Sequence, residues 1–299
     1  MIERPPTSAI LGAVVAFGLW GVLPVYWKQI GHVGSDVAIA HRIVWTMVTV
    51  IPMLLWQGEW SAWTTAIRDG ATVRAHAWSG LLLGINWSTF VWAAQHGHIL
   101  DSSLGYFINP LLNIVLGVLV LSERLVRTQW IAVGLAAVGV LYLAFVMERP
   151  PWIALALATT FGLYGLIRKV VAVESVPGLA VETLLLTPLA AGFLLWATWH
   201  GTGALGHSGA LVDVLLIGSG LATALPLALF AYGARLIPLS TLGLVQYIGP
   251  TLQFLTGILV FHEAFPRSRA IGFAFIWAGL AIYAADGLRR NRRLQNCRR

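Results

Sequence analysis

Long apolar stretches of similar length follow one another along the whole chain. Apolar residues run for about 20 positions at a time, without the alternation of polar and apolar positions that strands of a membrane barrel show. Because an α-helix needs about 20 apolar residues to cross a bilayer, each stretch predicts a transmembrane helix. Ten such spans are predicted, at residues 8–27, 37–56, 75–94, 102–121, 128–146, 152–167, 179–199, 211–231, 239–261 and 270–285.

The composition excludes an ordinary soluble domain. Hydrophobic residues make up 58% of the chain and charged residues 10%, whereas soluble chains contain about 45–50% and about 25%. A soluble protein this apolar could not cover its surface with polar groups. The predicted fold class is therefore all-α integral membrane. The first span is too long for the core of a signal peptide, so we interpret it as a retained helix.

The distribution of basic residues predicts the orientation in the membrane. If the N-terminus is inside, 14 of the 19 basic residues lie in inner segments and four in outer segments. Six of them belong to the tail RRNRRLQNCRR, which is typical of a membrane-surface tail and not of a nucleic-acid face. The positive-inside rule then places both termini in the cytoplasm, and the expected location is a bacterial inner membrane. The expected partners are a small-molecule substrate and membrane lipids; the oligomeric state stays open.

An internal repeat relates the fourth and ninth spans. At a spacing of 140 residues, Pro110 matches Pro250, and ten of the 32 positions from 108 to 139 are identical to their partners. Apolar composition alone would align leucines, but it would not so readily align proline, glycine, glutamate and arginine together. The repeat predicts two halves of five spans each.

Five is an odd number, so the second half must enter the membrane from the opposite face. The predicted architecture is thus ten transmembrane helices as a five-plus-five inverted repeat. Such repeats are typical of secondary transporters, whose substrate site lies near the midplane between the halves. The predicted units are a first repeat at 1–147, a second repeat at 148–286 and a basic cytoplasmic tail at 287–299.

Polar side chains form a stripe on each of the two matched spans. Tyr106, Asn109 and Asn113 share one face of the fourth span, because their spacing is i, i+3, i+7. Gln246 and Gln253 occupy the equivalent positions of Tyr106 and Asn113 on the ninth span. Hydrogen bonds between helices and a water-filled cavity that binds substrate are both consistent with this pattern. The repetition in both halves favours the cavity.

Each stripe is accompanied by a proline inside its span. Pro110 and Pro250 each remove a backbone hydrogen bond, so both predict a kink. Matched breaks of this kind are typical of a binding site or hinge, and a static kink is the alternative.

Two charged residues lie inside spans at equivalent positions. Arg42 and Glu182 are separated by 140 residues, on the second and seventh spans. A charge inside a membrane is costly, so both are candidates for contact with substrate, as is the neighbouring His41, although both charges could be shallow enough to snorkel. Asn86 is a further polar candidate in the middle of the third span.

Aromatic residues are expected in two settings. Trp60 and Trp63 belong to a group at span ends that predicts an interfacial belt. Four aromatic residues fall deeper in their spans, where they could stack on a substrate, although helix packing is the simpler interpretation. They are Trp20, Trp45, Trp87 and Tyr164.

Charged residues near span ends are expected to have structural roles. Glu123 and Arg127 are spaced for an i, i+4 ion pair, as are Glu263 and Arg267 at the repeat position. Arg168, at the end of the short sixth span, is expected to snorkel to the membrane surface.

Motifs for catalysis or for cofactors are missing from the sequence. It contains no HExxH, P-loop or nucleophile-elbow pattern, so no enzyme activity and no cofactor are expected. His96 and His98 form only a weak metal signal, and no metal site is predicted.

Several long segments resemble the RarD group of the EamA family, in the drug/metabolite transporter superfamily. The similar segments are GLWGVLPVYWK (18–28), HRIVW (41–45), SLGYFINPLLNIVLG (103–117), FGLYGLIRK (161–169), ETLLLTPLA (182–190), LGLVQYIGPTLQFL (242–255) and FAFIWAGLAIY (273–283). The resemblance covers nearly the whole chain. It implies ten helices, a plasma-membrane location and a central cavity lined by spans one to four and six to nine, with spans five and ten peripheral. The RarD label is associated with chloramphenicol sensitivity, which does not establish a substrate.

The sequence predicts a secondary transporter, an exporter of a small amphipathic metabolite or drug by alternating access. A membrane sensor or assembly factor that does not transport, or a lipid-modifying enzyme, is the alternative. Without a nucleotide-binding motif, ATP is not the direct energy source. No acidic residue lies at the centre of a span, so facilitated diffusion or exchange is favoured over proton antiport through His41 or Glu182.

Overall fold

The regular structure of the protein is α-helical. The computed structural model describes residues 6–95, 99–146, 152–260 and 267–296, and within these ranges every regular element is an α-helix. In chain order the helices are α1 (Thr7–Gln29), α2 (Ser35–Gln57), α3 (Trp60–Arg68), α4 (Gly70–Gln95), α5 (Ile99–Leu119), α6 (Arg127–Val146), α7 (Trp152–Val170), α8 (Ser175–Trp199), α9 (Ala210–Leu236), α10 (Leu239–Gln246), α11 (Ile248–Leu259) and α12 (Arg267–Asn296).

Within the described residues, each predicted span lies mainly on one of these helices, except the ninth, which lies on α10 and α11. Among the described residues, six helices are long and apolar enough to cross a membrane: α1, α2, α6, α7, α8 and α9. Shorter apolar stretches occupy Leu104–Leu119 in α5 and Ala270–Tyr283 in α12. The chain is therefore a multi-pass membrane protein. The count of ten crossings and the inverted repeat stay predictions.

The short helix α3 was not predicted. Its Trp63 and Ala66 face the bundle, whereas Ser61 and Thr65 are exposed, so the helix is amphipathic and too short to cross a bilayer. Trp63 packs against the main hydrophobic core. The sequence does not predict such a helix from long apolar stretches, because its apolar stripe is only two turns long.

Asp69 separates α3 from α4 and caps the second of these helices. Its carboxylate accepts hydrogen bonds from the Thr72 hydroxyl at 2.6 Å and the Thr72 backbone N–H at 3.0 Å. These bonds, with a longer one from the Ala71 N–H, lower the pKa of Asp69.

The two matched prolines differ in their effect. Pro250 has no N–H to donate to the carbonyl of Gln246, and the ninth span is interrupted there, between α10 and α11. Pro110 lies inside α5, which continues through it without interruption. A break in the helix is thus present at Pro250 only, and the hinge role of both prolines stays a prediction.

The helices pack mainly in pairs, and their buried apolar side chains form a main core and smaller separate clusters. α1 contacts α9, α10 and α11; α7 contacts α4 and α5; α2 contacts α8 and α9; α5 contacts α10. α6 and α12 pack closely against each other through glycines: a Cβ added at Gly139 would lie 2.6 Å from the carbonyl oxygen of Gly272. Small residues allow this approach, which creates van der Waals contact in the absence of a hydrophobic driving force.

The last helix is longer than the span that predicted it. α12 continues to Asn296, through most of the basic tail. Arginine, leucine and glutamine favour helix, so the helix need not end where the apolar residues do.

Candidate functional site

Polar side chains inside the bundle form hydrogen bonds that join the first half of the sequence to the second half. In each of the following hydrogen bonds, one partner lies before residue 147 and the other after residue 148. The pairs are Arg42 with Thr223, Ser79 with Glu182, Asn86 with Thr160, Asn109 with Gln246, and Asn113 with Gln246. The polar candidates of the sequence therefore lie between the two predicted repeats.

Arg42 is held by α9 and by aromatic rings. Its Nε donates a 2.8 Å hydrogen bond to Oγ1 of Thr223. The guanidinium carbon lies 4.1 Å from the centroid of the Trp87 ring and 5.4 Å from that of Trp27. Tyr106 is close enough to interact electrostatically with it. These five residues are called the Arg42 site below.

The charge of Arg42 is not neutralised by a carboxylate. Among the residues that the structure describes, no Asp or Glu forms an ion pair with it, and its Nη1 and Nη2 groups make no hydrogen bond. The side chain is only half-buried. Indole rings stabilise a cation by about 0.5–2 kcal/mol, which is less than the cost of an unpaired charge in a membrane.

His41 and Trp45, also on α2, have unsatisfied polar atoms. Nδ1 of His41 and Nε1 of Trp45 are enclosed and have no hydrogen-bond partner in the described part of the chain. Enclosed polar groups nearly always have partners, so these two are available to a ligand or to water.

Glu182 belongs to a separate, closed cluster. It is fully buried, and its Oε1 lies 3.6 Å from Nη1 of Arg168. Arg168 is itself only 2% exposed and also donates to the carbonyl oxygen of Ser175 at 2.7 Å. The prediction that Arg168 snorkels to the surface is therefore wrong. The carboxylate of Glu182 on α8 holds the guanidinium inside, because the pair compensates the cost of burial that either charge alone would have.

Neighbouring groups complete this ionic cluster. Ser79 donates to Oε1 of Glu182 at 2.5 Å, the hydroxyl of Tyr164 lies 3.4 Å from Oε2, and Nε2 of His76 lies 3.4 Å from Nη1 of Arg168. Gly178 provides the room, since a Cβ there would lie 2.0 Å from Nη1 of Arg168. In this conformation Glu182 and Tyr164 are occupied by protein partners.

The polar stripes of the fourth and ninth spans meet in an amide cluster. Asn113 donates to Oε1 of Gln246 at 2.7 Å, and Gln246 donates to Oδ1 of Asn109 at 2.5 Å. Asn109 also donates to the carbonyl oxygen of Ala158 on α7 at 2.8 Å. Oδ1 of Asn113 is enclosed without a partner. The cluster joins α5, α7 and α10.

The remaining polar candidates also bridge helices. Asn86 on α4 donates to Oγ1 of Thr160 and to the carbonyl oxygen of Leu157 on α7, both at 2.9 Å. Gln253 on α11 donates to the carbonyl oxygen of Trp20 on α1 at 3.2 Å. Both contacts connect one predicted repeat to the other.

Trp20 lies in an aromatic cluster. Its ring centroid is 5.5 Å from that of Phe17, 5.6 Å from that of Phe161 and 5.7 Å from that of Phe230. Tyr164 stacks on Phe230 at 5.9 Å. These distances are those of packed aromatic pairs, so packing accounts for Trp20 without a ligand.

Glu123 does not form the predicted i, i+4 pair. It lies in the loop before α6, and in the described residues it makes no ion pair with Arg127. Its carboxylate instead accepts hydrogen bonds from the backbone N–H of Leu239 at 2.6 Å and of Ser240 at 3.0 Å. It caps the start of α10, where free N–H groups and the helix dipole favour an anion. Glu263, His96 and His98 lie outside the described residues.

Several members of these sites were not predicted from the sequence. His76 and Ser79, one turn apart on α4, and Thr223 on α9 are partners of predicted residues. Trp27, at the end of the first span, lies close to Arg42. A possible signal was available for Ser79 alone, because Ser219 occupies the equivalent position 140 residues later.

Comparisons with known proteins agree with the sequence resemblance. Residues 7–145 match the EamA-like transporter family. The chain is 41% identical to an "Uncharacterized transporter" of Vibrio cholerae, covering 96% of this chain and 95% of that protein. It is 41% identical to Protein RarD of Escherichia coli strain K12, covering 98% and 99%. It is 28% identical to a "Chloramphenicol-sensitive protein RarD" of Pseudomonas aeruginosa, covering 94% and 95%.

A solved structure shares the fold. One crystal structure of a protein matches with a TM-score of 0.70 at 20% sequence identity, covering 92% of this chain and 96% of that chain. At that identity the match supports the fold alone. Together with the full-length relatives, the family match leads to one assignment: the chain belongs to the EamA-like transporter family of the drug/metabolite transporter superfamily, in its RarD group.

Proposed function

We propose that the protein is a secondary transporter that exports a small amphipathic metabolite or drug by alternating access. The observation that carries this proposal is the position of the polar contacts, which join one predicted repeat to the other inside an otherwise apolar bundle. Hydrogen bonds between halves can be exchanged for bonds to water or substrate when the halves rock apart. The transporter names of the relatives support the same class and point away from an enzyme.

The packing supports a five-plus-five inverted repeat. If α1, α2, α4, α5 and α6 correspond to α7, α8, α9, α10–α11 and α12, exchanging the halves converts the α1–α9 contact into the α7–α4 contact. The α2–α9 contact becomes the α8–α4 contact in the same way, and both members of each pair are present. The pairs α2–α8, α5–α10 and α6–α12 map onto themselves and are present as well. Such a pattern is expected of a pseudo-two-fold axis in the membrane plane.

The energy source that we propose is the gradient of the substrate itself, by facilitated diffusion or exchange. The enclosure of Glu182 supports this choice, because a carboxylate that is fully buried between Arg168 and Ser79 has no water beside it with which to exchange a proton. Proton antiport through His41 or Glu182 is the competing mechanism. Flux into liposomes with and without a pH gradient distinguishes the two, since uphill transport that follows the pH gradient would contradict our choice.

The transporter proposal is tested by reconstitution. Purified protein in liposomes is expected to release a subset of trapped, labelled metabolites faster than protein-free liposomes do. A panel that spans anions, zwitterions, cations and neutral compounds serves as substrate, and liposomes with an unrelated helical membrane protein serve as control. If no compound crosses faster than in the control, a sensor or assembly factor explains the molecule better than a transporter.

The proposed topology predicts the side of the membrane on which each loop lies. Reporter enzymes fused after Ala94 and after Trp199 are expected to be active outside, and fusions after Glu123 and after Asp286 inside. The expected sides follow from the excess of arginine in the inner segments. If fusions after Ala94 and after Glu123 report the same side, α5 does not cross the membrane and the inverted repeat is wrong.

A further inference from the structure

The Arg42 site holds a charge that no carboxylate in the described part of the chain neutralises. An ionised group inside a membrane protein ordinarily pairs with an opposite charge, as Arg168 does with Glu182. Arg42 occupies the position equivalent to Glu182 in the other half, yet no described carboxylate pairs with it. An anionic ligand would therefore gain the full ion pair without displacing a protein partner.

The geometry of the guanidinium leaves one edge available. Nε is held by Thr223, which fixes the orientation of the plane, while Nη1 and Nη2 have no partner among the described residues. Two parallel N–H groups of this kind match the two oxygens of a carboxylate. Because one edge is already anchored, little conformational entropy is lost when the other edge binds.

The surroundings indicate what the rest of the ligand is like. Trp87 and Trp27 flank the guanidinium, and the half-buried Tyr106 is near enough to interact with it electrostatically. A flat apolar body attached to the anionic group would meet aromatic surface and not water. A ligand that also carries an ammonium group would place a second charge there, and no described carboxylate next to Arg42 could neutralise it.

We propose that the Arg42 site binds a flat organic anion without a cationic group, with its carboxylate on Nη1 and Nη2 of Arg42. This inference rests on the proposed function, since it names the substrate class of that transporter. The partners are Arg42 for the charge, Thr223 for the orientation of Arg42, and the two indole rings for the apolar body.

Three naphthalene compounds of nearly equal shape test the charge preference. Calorimetric titration of the full-length protein in lipid nanodiscs compares 2-naphthoate, the neutral 2-naphthamide and the cationic 2-naphthylmethylammonium. We expect 2-naphthoate to bind about tenfold or more tightly than the other two, which is the effect of one charge-assisted pair. Equal binding of the three compounds, or no binding of 2-naphthoate, would overturn the proposal.

Substitutions in the Arg42 site test whether Arg42 causes the preference for 2-naphthoate. Arg42→Gln is expected to weaken 2-naphthoate binding about tenfold and to leave 2-naphthamide binding unchanged, whereas Arg42→Lys retains part of the preference. Thr223→Val is expected to have a smaller effect of about threefold, because the charge remains but its anchor is lost. Arg235→Gln removes an arginine outside the site and is the matched control. Unchanged 2-naphthoate binding in Arg42→Gln would contradict the role of Arg42. Binding of 2-naphthamide by each variant is the control for correct folding.

Flux measurements separate this inference from the proposed function. If other solutes are transported but 2-naphthoate neither binds nor crosses, the substrate class is wrong and the transporter proposal stands. If 2-naphthoate binds with the expected preference but no compound crosses, the binding site stands and the transporter proposal fails.

Discussion

Gly220→Ala is expected to destabilise the protein by about 3 kcal/mol or more, although it adds a single methyl group. The new Cβ would lie 2.2 Å from the carbonyl oxygen of Trp45 and 2.3 Å from its carbonyl carbon. These are backbone atoms of α2, which cannot rotate away as a side chain can. The clash therefore forces α2 and α9 apart.

The same substitution is expected to impair the Arg42 site. Thr223 follows Gly220 by three residues, so both lie on the face of α9 that contacts α2. Separating the two helices would lengthen the hydrogen bond from Arg42 to Thr223 beyond its 2.8 Å. We expect Gly220→Ala to weaken the binding of the organic anion about threefold, as Thr223→Val does, even where it still folds.

Unfolding in mixed micelles, followed by circular dichroism, measures the effect on stability. Gly192→Ala is the matched control, because Gly192 is exposed on α8 and a Cβ there meets nothing within 4 Å. We expect Gly192→Ala to raise the free energy of unfolding by no more than about 1 kcal/mol, since alanine favours helix more than glycine does. Wild-type stability of Gly220→Ala would mean that α2 and α9 do not approach as closely as described.

The second large effect is expected at the buried ion pair. Arg168→Met should destabilise the protein by about 3–5 kcal/mol, because it leaves the carboxylate of Glu182 enclosed without its cation. Both side chains of this pair are 1% exposed, so neither can turn to water. Replacing both partners, as Arg168→Met with Glu182→Leu, is expected to recover at least half of the lost stability, since the unpaired charge is then gone.

An exposed ion pair in the same protein is the control for this experiment. Arg235 pairs with Glu174, and their side chains are 22% and 58% exposed. Arg235→Met should therefore cost no more than about 1 kcal/mol, because water replaces the lost partner. If Arg168→Met is as mild as Arg235→Met, or if the double substitution is worse than the single one, the cluster is not the closed ion pair that we describe.

The positions of the long helices could be predicted from the sequence because a membrane helix is a local property. About 20 consecutive apolar residues satisfy the bilayer without reference to the rest of the chain, so every predicted span lies on helix. The helix α3 could not be found in this way, since its amphipathic stripe is short. The sequence also did not show that the helix would be interrupted near Pro250 and continuous at Pro110. The packing around each proline decides this, and the sequence does not reveal it.

The candidate polar residues could also be named from sequence, since a polar group inside an apolar span stands out. Their partners could not be named. Arg42 and Glu182 are equivalent by repeat spacing. Glu182 is paired with Arg168, whereas Arg42 has no carboxylate partner in the ranges that the structure describes. Arg168 itself, at a helix end, has the sequence pattern of a snorkelling residue.

Sequence by itself thus determined the class of protein, its apolar helices and the set of side chains too polar for their surroundings. Only the tertiary structure decided which of those side chains meet, because hydrogen bonds and ion pairs form between residues separated by 100 or more positions, such as Ser79 with Glu182 and Glu123 with Ser240. Burial energy depends on composition along a helix, whereas the neutralisation of a charge depends on which helix lies opposite. That difference is why Glu182 is paired with Arg168, whereas Arg42 has no carboxylate beside it among the described residues.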